Sequence, residues 1–325
     1  MVWIISPTVT KLSLTARRAA VFLLLKMTET RVLFAFFAAS AFAGAVAAGP
    51  AVGQPRQSAA VSNSGTASDH DRLTLRVPSP DRRTPMVTTV LRPKGPGPFP
   101  LVIINHGSTQ NAAQRAKSPP PAYNTLSQWF VRRGYVVAVP QRPGHGKTGG
   151  PYLEEQGDCS HADFAHAGHG TADSIETSLR YMTGQSYVRR DHVVIVGQSA
   201  GGWGALALES RKPEGVSAVI AFAPGRGGHS NDRPNNNCAP NKLVDTAAQF
   251  GRTARIPTLW ISTENDTYFG PALSRRMVDA YRAAGGIVEY RLLPPYGNDG
   301  HALINMKEGD KVWGPLIESF LAKTK

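Results

Sequence analysis

The stretch "VVIVGQSAGGWGAL", residues 193–206, decides the fold. It opens with a run of branched apolar residues, typical of a parallel strand buried on both faces, and closes with an Ala- and Leu-rich stretch that favours a helix. The pentapeptide GQSAG at 197–201 places Ser199 at the turn between them. This pattern is either a tight strand-to-helix connection or a nucleophile elbow, a strained turn that exposes a serine hydroxyl above a sheet.

Apolar strands and amphipathic helices alternate along the chain from about residue 71. The segment 101–107 is a continuous apolar strand, 122–134 has apolar residues at helical spacing, and 135–140 is the next buried strand. Such alternation predicts βαβ units, and therefore a mostly parallel central sheet with helices on both faces. The absence of an internal repeat in the sequence favours one α/β domain over 71–325.

Two segments of this domain, about 145–171 and 225–255, lack a periodic pattern and are predicted to be irregular loop insertions. Each contains one of the two cysteines, Cys159 and Cys238. In an exported chain, two cysteines in polar loops predict one disulfide, here tying the two insertions together. Two unpaired thiols are the alternative, and a catalytic cysteine is disfavoured because neither cysteine stands in a Cys–His arrangement at an element end.

A serine nucleophile needs a base, an orienting carboxylate and an oxyanion hole. Asp266 follows the predicted strand "IPTLWIS", and His301 follows the predicted strand "IVEYRLL", which gives the order Ser, Asp, His. The early strand "LVIIN" is followed by "HGST", where the backbone N–H of Ser108 could face a developing oxyanion. The N–H of Ala200, the residue after the serine, is predicted to be the second donor.

The chain resembles the dienelactone-hydrolase-like and prolyl-oligopeptidase-like branch of the α/β-hydrolase superfamily over about residues 72–322. The segments that carry the resemblance are "LRPKGPGPFPLVIINHGS", "RRGYVVAVPQRPGHG", "VGQSAGGWGAL", "ISTENDTYF" and "GNDGHAL". The resemblance implies the α/β-hydrolase fold with Ser199 as nucleophile, His301 as base and Asp266 as the orienting acid. A serine mechanism requires no cofactor or metal, so none is expected.

The chain also departs from this pattern in two places. Dienelactone hydrolases proper use a cysteine nucleophile, so the serine at 199 argues against that specific activity. The stretch "QRPGHGKT" replaces the usual "RRGxGxS", which leaves the local contacts there open.

Other residues compete for the predicted roles. Glu264 and Asp299 lie close to Asp266 and His301 in sequence, but Glu264 could face away along the extended chain and Asp299 is better placed to shape the turn before the histidine. His106 is expected to brace the oxyanion loop by hydrogen bonds rather than to transfer protons.

The segment "DCSHADFAHAGHG" has a spacing that could hold a metal ion, through His161, Asp163, His166 and His169. Because a serine mechanism needs no ion, a polar lid or hydrogen-bonded histidines are predicted there instead.

The predicted function is that of a serine hydrolase cleaving a small-molecule or polymeric carboxylic ester through an acyl-enzyme. Trp203, Tyr268 and Phe269 could line an acyl pocket, although packing beneath the elbow helix is an equal prospect for Trp203. A peptidase acting on short or blocked peptides uses the same residues and is one alternative. A non-catalytic binding protein on the same fold is another.

The N-terminal residues predict export. Residues 32–48 are apolar, follow Arg31 and end in small residues, the layout of a signal peptide spanning 1–48. Met27 is a second candidate start, which would make 1–26 an upstream extension. Residues 49–70 are predicted to be a flexible linker. We therefore expect a periplasmic or secreted protein with no stable membrane anchor after cleavage.

The chain is basic, with 36 Lys and Arg against 23 Asp and Glu and a net charge of +13. Removal of residues 1–48 takes away five basic residues and one acidic residue, so a strong positive charge remains. This charge is compatible with association with anionic envelope polymers or with anionic substrates. The sequence has no nucleic-acid-binding motif, so nucleic acid is not an expected partner.

Overall fold

A computed structural model of the chain describes residues 70–324. The predicted signal peptide and the linker up to residue 69 lie outside the described residues. Eight strands form the sheet: β1 (His70–Val77), β2 (Met86–Pro93), β3 (Leu101–Asn105), β4 (Val136–Pro140), β5 (Val193–Gln198), β6 (Val216–Phe222), β7 (Thr258–Thr263) and β8 (Val288–Leu293). Their order across the sheet is β1-β2-β4-β3-β5-β6-β7-β8. The pairs β1–β2 and β2–β4 are antiparallel and all other neighbours are parallel, which confirms the predicted mostly parallel sheet.

Seven α-helices connect these strands within the described residues: α1 (Ala112–Ala116), α2 (Asn124–Val131), α3 (Phe164–Thr183), α4 (Ala200–Glu209), α5 (Pro240–Gly251), α6 (Pro271–Ala283) and α7 (Gly309–Ala322). Two 3₁₀ helices, Ser230–Asp232 and Gly300–Asn305, lie in the connections after β6 and β8. Over residues 70–324, every helix is too short or too polar to cross a bilayer.

The sheet separates two apolar cores because successive side chains of a strand point to opposite faces. Ile103 and Ile195 pack with residues of α3, α4, α5 and α6 on one face. Val102 and Val194 pack with residues of α2 and α7 on the other. Strands β3 and β4 are buried along their whole length, which explains their continuous apolar sequences. The arrangement is the α/β-hydrolase fold.

The prediction that 145–171 and 225–255 are irregular throughout was wrong. Helix α3 begins at Phe164, where the Asp163 carboxylate caps it by accepting a bond from the His166 N–H at 2.8 Å. Helix α5 lies entirely within the second segment. The first turns of α3 pack through glycines rather than large apolar side chains, since a Cβ on Gly170 would lie 1.9 Å from the Leu153 carbonyl oxygen. Apolar periodicity therefore does not mark this part of the helix.

Cys159 and Cys238 form a disulfide that joins the loop before α3 to the loop before α5. Lys242, in the first turn of α5, also donates to the Ser160 and Ala162 carbonyl oxygens at 3.2 and 3.4 Å. The two insertions are thus bound to each other by a covalent bond and by hydrogen bonds, as the positions of the cysteines predict.

Glu209, the last residue of α4, is fully buried. Its carboxyl group contacts the Tyr281 hydroxyl and accepts a bond from the Ile256 N–H at 2.8 Å. Burial raises the pKa of Glu209 from its ordinary 4.5 to about 7. Burial disfavours the charged Glu209 carboxylate only in the folded chain. The folded state therefore loses stability as the pH rises from the ordinary pKa of 4.5 through about 7.

We expect Glu209→Gln to remove this loss. The free energy of unfolding of the variant should gain roughly 3 kcal/mol on the wild type between pH 4.5 and pH 8. Urea unfolding at the two pH values measures the difference, which cancels the contributions of buried neutral histidines such as His145. Glu214→Gln, at an exposed position, is the matched control. A constant difference between Glu209→Gln and wild type at both pH values would contradict the prediction.

Candidate active site

Ser199 lies at the turn between β5 and α4 with φ 53° and ψ −120°, a conformation rarely adopted by residues other than glycine. Its N–H donates to the Phe222 carbonyl oxygen at 2.9 Å, which fixes the turn against β6. The flanking glycines are sterically required. A Cβ on Gly197 would lie 2.3 Å from the Gly201 carbonyl oxygen, and a Cβ on Gly201 would lie 2.2 Å from that of Asn105. The turn thus has the strained geometry of an elbow.

Ser199 lines a cavity of about 580 Å³ together with Ala200 and Ser108. Ala200 is the first residue of α4, where backbone N–H groups have no acceptor inside the helix. Among the hydrogen bonds of residues 70–324, none uses the N–H of Ser108 or Ala200. The sequence-predicted oxyanion donors therefore lie on the same cavity as the serine, with their N–H groups free.

Asp266 and His301 are brought together from the ends of β7 and β8. The His301 Nδ1 lies 3.2 Å from both carboxylate oxygens of Asp266, whose side chain is fully enclosed. The carboxylate is fixed by the N–H groups of Tyr268 and Phe269, which donate to Oδ1 at 2.8 and 2.9 Å. Donation to Asp266 requires the proton on Nδ1, which leaves Nε2 of the neutral ring as an acceptor.

The other two acidic residues near His301 take different positions. Asp299 caps the second 3₁₀ helix, accepting the His301 N–H at 3.0 Å, and binds the Thr267 hydroxyl at 2.6 Å. Glu264 is exposed. Asp266 is therefore the carboxylate that contacts the imidazole.

Tyr268 and Phe269 connect His301 with the serine cavity. Both line the cavity that Ser199 lines, and the Tyr268 ring stacks on the imidazole with centroids 4.1 Å apart. Phe269 lies 5.7 Å from the same ring. Within residues 70–324 there is no hydrogen bond between the Ser199 hydroxyl and His301. His301 is not among the residues that line the cavity of Ser199, so the two residues are connected through Tyr268 and Phe269 and not directly.

Gln198, which sequence analysis did not single out, links three loops of the site. Its side-chain amide donates to the His301 carbonyl oxygen at 2.8 Å and accepts from the Tyr123 hydroxyl at 2.8 Å. The Tyr123 hydroxyl in turn accepts the Gly107 N–H at 3.3 Å. The one sequence feature that could have indicated this role is that Gln198 directly precedes Ser199, at the turn where neighbouring strand ends meet.

The oxyanion loop is braced from behind by His106 and Arg142. The Arg142 guanidinium donates to the His106 carbonyl oxygen at 2.7 Å, and the Arg142 backbone N–H donates to the His106 ring at 3.1 Å. Burial and the adjacent Arg142 charge keep the pKa of His106 well below its usual range, so the ring is neutral. This neutral, hydrogen-bonded histidine has the bracing arrangement that the sequence favours.

A buried ion cluster formed by Arg142, Glu154 and Arg226 supports this bracing. The Glu154 carboxylate contacts the Arg142 guanidinium through both oxygens and accepts from Arg226 at 2.6 Å. All three side chains are at most 2% exposed. Sequence patterns do not indicate this cluster, because Arg226 is 72 residues from Glu154 and no local pattern pairs Glu154 with Arg142, 12 residues before it. Arg142 lies within the "QRPGHGKT" departure, where the local contacts were left open.

His145 and Tyr152 extend the cluster to the oxyanion loop. Ser108 Oγ lies 2.8 Å from His145 Nε2 and 3.2 Å from the Tyr152 hydroxyl. Arg226 also donates to the Tyr152 hydroxyl at 2.9 Å. Burial lowers the pKa of His145 to about 4, so this ring is neutral as well.

The histidine-rich segment does not assemble a metal-ligand set in the described residues, where no three metal-ligating side chains converge. His161 contacts Asp158, Asp163 caps α3, and His169 packs its ring against Phe250 at 5.5 Å. Trp203 is buried, donating to the Phe164 carbonyl oxygen at 2.9 Å, and so packs beneath the elbow helix. Tyr268 and Phe269 do line the cavity.

Residues 121–225 match the prolyl oligopeptidase family. The matched part includes the elbow, β4 and the whole of α3. No curated protein matches the chain.

Several solved structures share the α/β-hydrolase fold of this chain. A Klebsiella pneumoniae protein assigned as a dienelactone hydrolase is 17% identical, with a TM-score of 0.54, over 78% of this chain and 99% of its own. An acetyl xylan esterase from Paenibacillus is 17% identical, with a TM-score of 0.57, over 79% and 86%. A Bacteroides ovatus protein assigned as a dipeptidyl aminopeptidase IV is 12% identical, with a TM-score of 0.55, over 79% of this chain but 36% of its own. At these identities the likeness concerns the fold.

Proposed function

We propose that this chain is a serine hydrolase that cleaves carboxylic esters. The observation that carries the proposal is the buried Asp266 carboxylate on Nδ1 of His301, whose ring packs on Tyr268 and Phe269, two residues that line one cavity with the serine of the strained turn. This arrangement leaves an imidazole acceptor available for a serine proton. The match to the prolyl oligopeptidase family and the esterases among the solved structures support a hydrolase.

In the proposed mechanism, His301 Nε2 takes the proton of Ser199 as its oxygen attacks the ester carbonyl carbon. The negative charge that develops on the carbonyl oxygen is stabilised by the N–H groups of Ala200 and Ser108. The tetrahedral intermediate collapses, the C–O bond to the alcohol breaks, and His301 returns the proton to the leaving alcohol. Water then attacks the acyl-Ser199 with His301 again as base, releasing the acid.

The mechanism needs a hydrogen bond between the Ser199 hydroxyl and the His301 imidazole, and the structure has none. Such bonds are often long in free enzymes and shorten when substrate binds. Tyr268 stacks on His301 and lines the cavity, so a substrate bound in the cavity would contact the ring that packs on the imidazole. Asp266 keeps its contact with Nδ1 and stabilises the imidazolium that forms.

A peptidase is the second candidate, and the family match over 121–225 is the observation that favours it. The esterase is preferred because the acetyl xylan esterase is covered over 86% of its length, whereas the peptidase-like Bacteroides protein is covered over 36%. The proposed ester hydrolysis uses only residues of the α/β domain described above.

We also propose that the chain is exported. The support is the disulfide between Cys159 and Cys238, a bond that persists in oxidising compartments, together with the signal-peptide layout of 1–48.

The chain without residues 1–48 is expected to hydrolyse 4-nitrophenyl esters faster than aminoacyl 4-nitroanilides, and to be labelled by a fluorophosphonate at Ser199. Activity assays across acyl lengths and peptide mass mapping of the adduct measure both outcomes. Faster cleavage of the anilides than of the esters, with the same adduct at Ser199, would indicate a peptidase instead of an esterase. Failure of the reagent to modify Ser199, with no hydrolysis of either class, would overturn the enzyme proposal.

A further inference from the structure

Three stacked rings lie at the wall of the cavity that Ser199 lines. The His229 ring lies 3.5 Å from the Tyr268 ring at an interplanar angle of 11°, and the Tyr268 ring lies 4.1 Å from the His301 ring at 22°. Two rings at these distances cannot share one face of Tyr268, so the two histidines lie on opposite faces. A histidine of the loop after β6 therefore supports the His301 imidazole through one intervening ring.

A second connection between His229 and the loop that carries His301 is polar. The Thr267 hydroxyl donates to the Asp299 carboxylate at 2.6 Å and lies 2.8 Å from His229 Nε2. Because a hydroxyl has one proton and the carboxylate takes it, His229 is the donor of the bond to Thr267. Asp299 in turn accepts the His301 N–H at 3.0 Å. His229 is thus connected to both the ring and the backbone of His301.

The backbone at His229 approaches Tyr268 closely and is strained. His229 has φ 54° and ψ 40°, in the left-handed region that residues other than glycine rarely adopt. A Cβ on the preceding residue, Gly228, would lie 2.9 Å from the Tyr268 ring, so the loop needs a glycine to come this close. The Asn235 N–H donates to the Thr267 carbonyl oxygen at 2.7 Å, which binds the same loop to the strand end of Tyr268. Strain that the surroundings enforce in this way clusters at functional sites.

The contact with Asp266 does not by itself fix the plane of the His301 imidazole. Asp266 holds the ring at one atom, Nδ1, and a ring held at one atom can still tilt. Stacking on Tyr268 restricts that tilt, but the Tyr268 side chain lines a cavity and needs support on its other face. His229 provides this support. The orientation matters because a displacement of a catalytic group by about 1 Å can cost about 100-fold in rate.

We propose that His229 is a positioning residue, which holds the plane of the His301 imidazole through Tyr268. This inference rests on the proposed ester hydrolysis and adds to its site a residue of the 225–255 insertion. In residues 70–324 no hydrogen bond joins His229 to Ser199 or to His301, so its action is indirect. The imidazolium that forms when His301 takes the serine proton lies on the face of the Tyr268 ring, an arrangement that stabilises a cation.

The test replaces His229 by alanine, which removes the ring, and by phenylalanine, which keeps a flat ring but cannot donate to Thr267. His229→Ala is expected to lower kcat for 4-nitrophenyl esters by roughly 10- to 100-fold and to change KM by less than about 3-fold, because substrate still binds while the base is misplaced. His229→Phe should keep kcat within about 3-fold of the wild type, since it keeps the stack.

Three outcomes would overturn the proposal. The first is an unchanged kcat in His229→Ala. The second is a rise in KM with kcat unchanged, which would assign His229 to substrate binding. The third is an equal loss of kcat in His229→Ala and His229→Phe, which would assign the effect to the bond with Thr267 and not to the stack.

His169→Ala is the matched control. His169 also packs its ring on an aromatic residue, Phe250, with centroids 5.5 Å apart, but it is not among the residues that line the cavity of Ser199. Its substitution is expected to leave kcat and KM as in the wild type. A loss of kcat equal to that of His229→Ala would mean a general effect of lost packing and would contradict the assignment.

Proton NMR separates this proposal from the proposed function. The Nδ1 proton of His301, bonded to Asp266, is expected to resonate downfield of the amide protons, and its line width reports how firmly the ring is held. In the Ser199→Ala background, His229→Ala should broaden this signal, and His229→Phe should leave it sharp. This result in a chain that hydrolyses no ester would keep the support of His301 by His229 and refute ester hydrolysis. Ester hydrolysis with both the signal and kcat unchanged in His229→Ala would keep the esterase and refute the positioning role.

Discussion

Substitution of Ser199 by alanine is expected to lower kcat for 4-nitrophenyl esters by about 10⁴-fold or more, to a residual rate supplied by binding and the oxyanion donors. The proposed mechanism requires the Ser199 oxygen as the attacking atom, and no other hydroxyl shares its place beside Ala200 on the strained turn. The variant should fold normally. Alanine has the same Cβ as serine, and the Ser199 hydroxyl has no hydrogen bond to lose in residues 70–324.

Steady-state kinetics and thermal unfolding of the same preparation measure this prediction. Ser210→Ala is the matched control, since Ser210 ends α4 at the opposite terminus and its hydroxyl donates only to the Ala207 carbonyl oxygen, at 2.7 Å. That control should retain wild-type kinetics. Undiminished hydrolysis by a correctly folded Ser199→Ala would eliminate the acyl-enzyme mechanism.

Asp266→Asn is expected to lower kcat by about 10⁴-fold with little change in fold. The amide oxygen can continue to accept the N–H groups of Tyr268 and Phe269, which now bond to Oδ1. The amide NH₂ then faces Nδ1 of His301 and donates to it, which moves the imidazole proton to Nε2. The ring in that tautomer cannot accept the serine proton.

Asp299→Asn is the comparison that decides between the two acids. Asp299 caps the second 3₁₀ helix and binds Thr267, so its substitution should affect the loop and lower kcat by much less than Asp266→Asn does. Measurement of kcat for both variants at one saturating substrate concentration is sufficient. A larger decrease of kcat in Asp299→Asn than in Asp266→Asn would indicate that Asp299, and not Asp266, orients His301.

The fold was predictable because its buried strands have a recognisable sequence pattern. Strands such as β3 and β5 are short continuous apolar runs ended by glycine or a polar residue, and this pattern has few other solutions. The start of α3 was not predictable from periodicity. Its first turns are glycine, alanine and histidine, and they pack by close backbone approach that only the neighbouring Leu153 reveals.

The residues proposed for chemistry could be named from sequence because each follows a predicted strand in a fixed order. The residues that support them could not. Arg226 meets Glu154 across 72 residues of chain, and no local pattern pairs Glu154 with Arg142, although these two are 12 residues apart. The link from Gln198 to Tyr123 likewise depends on how β3 and β5 are juxtaposed, which a single sequence does not contain.

The cross-link between Cys159 and Cys238 has a consequence for substrate exchange. Both cysteines line the cavity that Ser199 lines, so the disulfide joins two stretches of its rim, the loop before α3 and the loop before α5. The two joined stretches cannot move independently, because the disulfide couples the displacement of one to that of the other. For the proposed hydrolysis, we expect substrate and product to pass either when the two joined stretches move together or on the side of the cavity near Gln110 and Asn111, which the disulfide does not join. In a reducing solution the covalent bond is lost while the hydrogen bonds from Lys242 remain, so the change in turnover rate measures how much the disulfide contributes to this coupling.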